Sequence, residues 1–158
     1  MFYVLSNKEY RSVQAMTVSA FASDGFHHPV KVDLNLSITT TDADIVVKLI
    51  DVHPDGYQML IRGDVFPVRY RNNISHPSPV IPGEIFNLQF TMNDVAHWLQ
   101  PGHRLMVQIQ SSWFPLVNMN PQTYLENIYT ASQEDYVKSE ITVYHQNNIQ
   151  SAIHLPLI

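Results

Sequence analysis

Two aspartates stand two positions apart in this 158-residue sequence, Asp42 and Asp44, just before an apolar segment. On a strand both carboxylates would face the same side. Backbone carbonyls could complete a calcium site around them, because calcium takes about six to eight oxygen ligands. Alternatively, such aspartates begin a strand through bonds to nearby N–H groups, or pair with an arginine across a sheet or a domain boundary. We expect the structural role and no metal.

Histidines are the second group with chemical potential. The chain has eight, but only His27 and His28 are adjacent. Neighbouring residues on a strand point to opposite faces, so this pair is poorly placed to chelate one ion, and neither H-x-H nor H-E-x-x-H spacing occurs. We therefore predict surface or partly buried histidines that bond to the backbone, with no bound metal and no cofactor.

A nucleophilic serine would need a strained turn, usually G-x-S-x-G, with a histidine and a carboxylate beside it. None of the five glycines has that pattern around a serine. Ser111 and Ser112 end a predicted strand, but nothing in the sequence connects them to a base. We predict that the chain contains no catalytic residue.

The segment from Ser111 to Pro121 has the residue types of a contact surface. It combines two large aromatic side chains, Trp113 and Phe114, with the amides Asn118 and Asn120. Amides can hydrogen-bond in either direction. Two interpretations stay open: the aromatic pair plugs one end of the fold, or these four residues face another domain or wall a substrate pocket.

Composition excludes several classes of function. The formal net charge is -5 and no basic stripe exists, which argues against nucleic-acid binding. Cysteine is absent, which removes disulfides and thiolate metal sites. No segment resembles a leader or a membrane span, so we expect a soluble chain, cytoplasmic or periplasmic, without membrane contact. The chain opens directly in strand-like sequence at Phe2–Leu5, which suggests a fragment of a longer protein.

Short strands with turn signals between them dominate the sequence. Alternation from Val30 to Ile38 predicts a strand with one buried face, and the continuous apolar run from Asp44 to Val52 predicts one buried on both faces. Further strands are predicted at 57–62, 66–70, 84–92, 104–110, 141–144 and 152–158. A helical turn is predicted at 93–99 and a short helix at 132–138. The pattern is that of one all-β domain over 1–158, an antiparallel β-sandwich, most simply a jelly roll.

Several motifs together resemble one family. They are, in chain order, D-A-D at Asp42–Asp44, K-L-I-D-V-H-P-D-G at Lys48–Gly56, R-Y-R at Arg69–Arg71, Pro82-Gly83, P-G-H-R-L-M-V-Q-I-Q-S-S at Pro101–Ser112, Phe114-Pro115 and H-L-P-L-I at His154–Ile158. In this order and spacing, Val30 to Ile158 resembles the C-terminal non-catalytic domain of the serine hydrolases that include X-Pro dipeptidyl-peptidases, cocaine esterase, α-amino acid ester hydrolases and glutaryl acylases.

The resemblance implies a galactose-binding-like jelly roll that follows an α/β-hydrolase domain. In such enzymes the catalytic triad lies in the hydrolase domain, and the jelly roll packs on it, helps to wall the substrate pocket and often contributes to oligomer contacts. Many relatives carry a basic and an acidic residue after the Phe-Pro pair, where this chain has Leu116, Val117 and Asn118.

The resemblance thus predicts an accessory domain of an X-Pro dipeptidyl-peptidase-like serine hydrolase, with dipeptidyl-peptidase, acylase or esterase activity in the parent enzyme and none in this domain by itself. Two rival interpretations come from other classes of protein. One is a stand-alone β-sandwich that binds a carbohydrate or another ligand through aromatic residues such as Trp113 and Tyr124. The other is a purely structural oligomerisation domain.

Overall fold

The computed structural model describes residues 14–19, 25–27, 29–146 and 148–155. Three features predicted from the sequence lie outside these ranges: the strand at Phe2–Leu5, the second histidine of the His27-His28 pair, and the end of the final strand at 156–158.

The described residues contain twelve strands, more than the eight or nine predicted. They are β1 (Gln14–Ser19), β2 (Gly25–His27), β3 (Lys31–Ile38), β4 (Asp44–Val52), β5 (Gln58–Pro67), β6 (Phe86–Thr91), β7 (Ala96–Trp98), β8 (Arg104–Gln110), β9 (Ile141–Val143), β10 (His145–Gln146), β11 (Ile149–Gln150) and β12 (Ala152–His154). Three single turns of 3₁₀ helix are the described helical structure: Val68–Tyr70, Ile128–Thr130 and Gln133–Asp135.

Two antiparallel sheets face each other across the core. The first has the strand order β1-β8-β4-β5. In the second, β3 is central, with β6 on one side and both β12 and β9 on the other. The short pairs β2-β7 and β10-β11 form two further small sheets. The prediction of an all-β antiparallel sandwich is confirmed.

The apolar periodicity explains which faces are buried. Alternate residues of β3, from Val32 to Ile38, are at most 1% exposed and belong to one core cluster with the inward residues of β4 and β8. Every residue of β4 except Lys48 is buried. The strand is therefore covered on both faces, as predicted. On its outer side Ile50 and Val52 form a second small cluster with Met106.

Long-range pairing changes two predicted elements. The strand expected at 57–62 continues to Pro67 as one strand, β5, because β4 pairs through Gly63 and Asp64 beyond a register shift opposite Leu49/Ile50. The strand expected at 66–70 is therefore wrong beyond Pro67, where 68–70 form a 3₁₀ turn. The helical turn expected at 93–99 is wrong. There β7 pairs with β2, and the backbone N–H of Asn93 donates to the Asp64 carboxylate at 3.0 Å, so the partner strand overrides a local helix signal.

The predicted helix at 132–138 shrinks to the single 3₁₀ turn Gln133–Asp135. Ser132 and Asp135 bond reciprocally in a capping box, and the backbone and side-chain hydrogen bonds from Ser132 lower the pKa of Asp135. Among the described residues, no helix is long and apolar enough to cross a membrane.

Candidate functional site

Asp42 is fully buried and pairs with Arg69, itself only 5% exposed. The Arg69 Nε donates to Asp42 Oδ2 at 2.9 Å, and Nη2 donates to the same oxygen. The first aspartate of the D-A-D motif and the first arginine of the R-Y-R motif are therefore partners. This is the arginine-pairing role expected for such aspartates.

Arg69 also holds the long loop that follows β8. Its Nη1 donates to the carbonyl oxygen of Leu125 at 2.8 Å, and its guanidinium lies 4.9 Å from the centre of the Tyr124 ring. The backbone N–H of Tyr124 donates to the Thr41 hydroxyl at 2.8 Å. Loop 111–140 is thus tied to the start of β4 through partly buried polar contacts.

Asn120, predicted as an interdomain residue, is 7% exposed and sits against the second aspartate. Its Nδ2 donates to Asp44 Oδ1 at 3.0 Å and to Asp42 Oδ2 at 3.3 Å, and its Oδ1 accepts from the Gln122 N–H at 2.8 Å. Burial raises the pKa of Asp44, opposed by the Asn120 hydrogen bond and reinforced by the Asp42 charge. Asn120 therefore fixes the position of loop 111–140 from its buried side.

Trp113 lies on the outer face of the first sheet. Its ring is in contact with Gly63 of β5, where an added Cβ would approach it closer than 3.0 Å. The Lys48 Nζ lies 4.2 Å from the ring centre, and burial lowers the pKa of that lysine. Gly63 is needed here because any side chain would displace the indole. Phe114, the next residue, is 66% exposed, and neither aromatic belongs to the buried core.

A groove of about 590 Å³ opens between β5 and the long loop. Asn118 and Asn120 line it together with Asp44, Arg69 and Tyr129. Three further side chains of the same loop are large, apolar and more than half exposed: Phe114, Leu116 and Met119. We call this groove and these three side chains the loop face.

A second polar cluster lies at the other end of β4 and was not predicted from the sequence. Asp51, 2% exposed, accepts from His97 Nε2 through one oxygen and from His103 Nδ1 through the other, each at 2.9 Å. The His53 ring packs on His103 with centroids 4.2 Å apart. We call Asp51, His53, His97 and His103 the Asp51 cluster. Two of its histidines bond to a carboxylate rather than to the backbone, contrary to the expectation.

The Asp51–His103 pair resembles the orienting half of a catalytic triad, but Ser111 and Ser112 are far from it. His103 precedes β8 and the serines follow it. Seven residues of strand separate the two ends by roughly 23 Å. The carboxylate–histidine pair of this cluster and these serines therefore cannot form one active site.

These observations define a class of protein: a β-sandwich whose buried polar residues hold its loops in place. The chain matches the sequence profile of the X-Pro dipeptidyl-peptidase C-terminal non-catalytic domain over residues 28–154. It belongs to this family, whose members are non-catalytic C-terminal parts of larger hydrolases.

Individual relatives agree. The cocaine esterase of Rhodococcus sp. (strain MB1 Bresler) is 35% identical over 94 residues, which cover 60% of this chain and 16% of the esterase. A crystal structure of an aminopeptidase from a marine sediment Thaumarchaeota archaeon superposes with a TM-score of 0.89 and 35% identity, over 92% of this chain and 26% of that one. The structure of an α-amino acid ester hydrolase superposes with a TM-score of 0.86 and 36% identity, over 92% of this chain and 25% of that one. The chain thus spans at most about a quarter of these proteins.

Removing the Arg69 guanidinium should destabilise the domain strongly. Arg69→Met leaves Asp42 buried without its partner, for which we expect a loss of about 3–5 kcal/mol in the free energy of unfolding, measured by urea denaturation. The matched control is Arg62→Met, which breaks the partly exposed Arg62–Asp64 pair and should cost about 0–1 kcal/mol. Equal losses in the two variants would refute the anchoring role of Arg69.

The ionisation of Asp44 should lower the free energy of unfolding as pH rises. Because its pKa is raised in the folded state, the folded chain retains this proton to a higher pH than the unfolded chain, and the resulting stability is lost as pH rises through the folded pKa. Asp44→Asn should therefore unfold at a higher temperature than the parent at pH 7, with the advantage vanishing below about pH 4. Exposed Asp94→Asn is the control. A less stable Asp44→Asn protein at pH 7 would contradict this.

Proposed function

We propose that this chain is the accessory C-terminal domain of an X-Pro dipeptidyl-peptidase-like serine hydrolase with dipeptidyl-peptidase, acylase or esterase activity, and that it packs on the α/β-hydrolase domain through the loop face. Membership of a family of non-catalytic hydrolase domains supports the first part. The observation that carries the second is the exposure of Phe114, Leu116 and Met119, at 66%, 69% and 52%, on a loop that hydrogen bonds attach to the sheet.

Rigidity matters because an ordered surface loses little entropy when it docks. A buried hydrogen bond of Asn120 and a partly buried one of Arg69 tie the loop to the sheet. Docking of its exposed side chains therefore requires little further ordering of the loop. Exposed aromatic and aliphatic anchors beside polar groups are typical of an interface core with a polar rim.

The four predicted site residues have different roles in this proposal. Phe114 and Asn118 would contact the hydrolase domain directly, since both are exposed. Trp113 would hold the loop against the sheet through its contact with Gly63, and Asn120 would hold it through its buried hydrogen bond to Asp44. Asn118, together with Tyr129, would form the part of the groove that can wall the substrate pocket of the parent.

Sugar binding through Trp113 and Tyr124 is the alternative function. The contacts of both rings weigh against it: Trp113 covers Gly63 beneath Lys48, and Tyr124 packs with Arg69 while its hydroxyl donates to the Pro77 carbonyl oxygen. A stacking platform needs an open ring face. Glycan-array binding that disappears in Trp113→Ala would favour the alternative.

Hydroxyl-radical footprinting tests the proposed docking face. The chain alone is compared with the longer polypeptide in which it follows its hydrolase domain. We expect oxidation of Phe114, Leu116 and Met119 to fall several-fold in the longer polypeptide, because docking removes them from solvent. Tyr57 and Leu60, 59% and 48% exposed near the opposite end of β4, should be oxidised equally in both.

Unchanged oxidation of the loop face would overturn the docking proposal. Protection that appears in the chain alone as its concentration rises would instead assign this surface to a homo-oligomer contact. Phe114→Asp in the longer polypeptide should restore oxidation at Leu116, whereas Tyr57→Asp should not.

A further inference from the structure

The Asp51 cluster brings together the ligand types of a transition-metal site. One ligand atom from each of Asp51, His53 and His103 lies within 4.8 Å of the others. Carboxylate oxygen and neutral imidazole nitrogen are the donors that zinc-like ions take in proteins, commonly as three protein ligands with water completing the coordination.

Strand register explains why these three residues converge. β4 and β8 pair Asp51 with Leu105 and Val52 with Arg104, so His53 and His103 come next in the same register. Alternation then puts Asp51, His53 and His103 on the face that carries the core residues. Two turns, 53–56 and 101–103, deliver the histidines to the same end of the sandwich.

One ring nitrogen of His53 is buried in a position that hydrogen bonding does not explain. Its Nε2 is buried and has no hydrogen-bond partner within the described part of the chain. A buried imidazole nitrogen without a partner costs free energy, and such a group calls for an explanation such as an ion. The adjacent His103 ring, tilted by 36° to that of His53, presents a second imidazole at the same place.

We propose that Asp51, His53 and His103 bind one divalent transition-metal ion of the zinc class. His97 is a positioning residue: it bonds to the second oxygen of Asp51 at 2.9 Å, as outer groups do for ligating carboxylates. The ion takes the place of the proton between Asp51 and His103, and the neutral His103 imidazole then carries its proton on Nε2. The bound ion links the β4–β5 turn to the start of β8.

Cobalt(II) titration of the untagged, metal-free chain tests this site, because bound cobalt gives visible absorption that reports its ligands. We expect one ion per chain, displacement by zinc, weaker binding in acid because protons compete for the ligand atoms, and a higher melting temperature with zinc. His53→Gln should weaken binding by at least about 100-fold, and His97→Gln by about 10–100-fold.

His76→Gln is the matched control, because His76 is exposed; its binding should equal that of the parent chain. His53→Gln removes no hydrogen bond found for that ring nitrogen, so an unchanged far-ultraviolet circular dichroism spectrum is expected and confirms folding. Should either variant unfold, His103→Gln provides a second test of the ligand set. Absence of stoichiometric cobalt binding, or binding unaffected in a folded His53→Gln protein, overturns the proposal.

Discussion

Arg69 and Asp42 form a buried ion pair at the start of β4, and the long loop after β8 depends on it. Burying two charges is costly, and their attraction compensates only when the remaining donors are also satisfied. Here Arg69 gives one further hydrogen bond to the Leu125 carbonyl oxygen and packs on Tyr124. The pair therefore contributes less as net stability than as a constraint, because it fixes the loop at Tyr124 and Leu125.

The same constraint gives the family motifs a physical meaning. The D-A-D and R-Y-R motifs meet at the Asp42–Arg69 pair, and Arg71 holds the proline-rich loop through the carbonyl oxygens of Ser78 and Pro79. At the other end of β4, the H-P-D-G and P-G-H-R motifs place His53 and His103 side by side. These signature residues build two polar ends on an apolar sandwich, which suits a domain whose role is to present surfaces.

Local patterns predicted those elements whose burial is set by their own sequence. β4 and β8 begin and end at the predicted residues because their apolar patterns are long and uninterrupted. β7 was misassigned because three residues carry little periodicity and the strand depends on a partner about seventy positions away. The Asp51 cluster was not predicted for the same reason, because the pairing of Val52 with Arg104 brings its residues together. Asn120 was recognised as unusual, but its burial against Asp44 could not be read from a loop sequence.

As a member of a family of non-catalytic domains, this chain is expected to show no hydrolysis by itself. The most direct measurement is turnover of activated acyl esters by the purified chain alone, with and without a serine-directed covalent inhibitor. We expect hydrolysis at the rate of buffer alone and no labelled serine. Turnover that rises with chain concentration and is abolished by the inhibitor would contradict it.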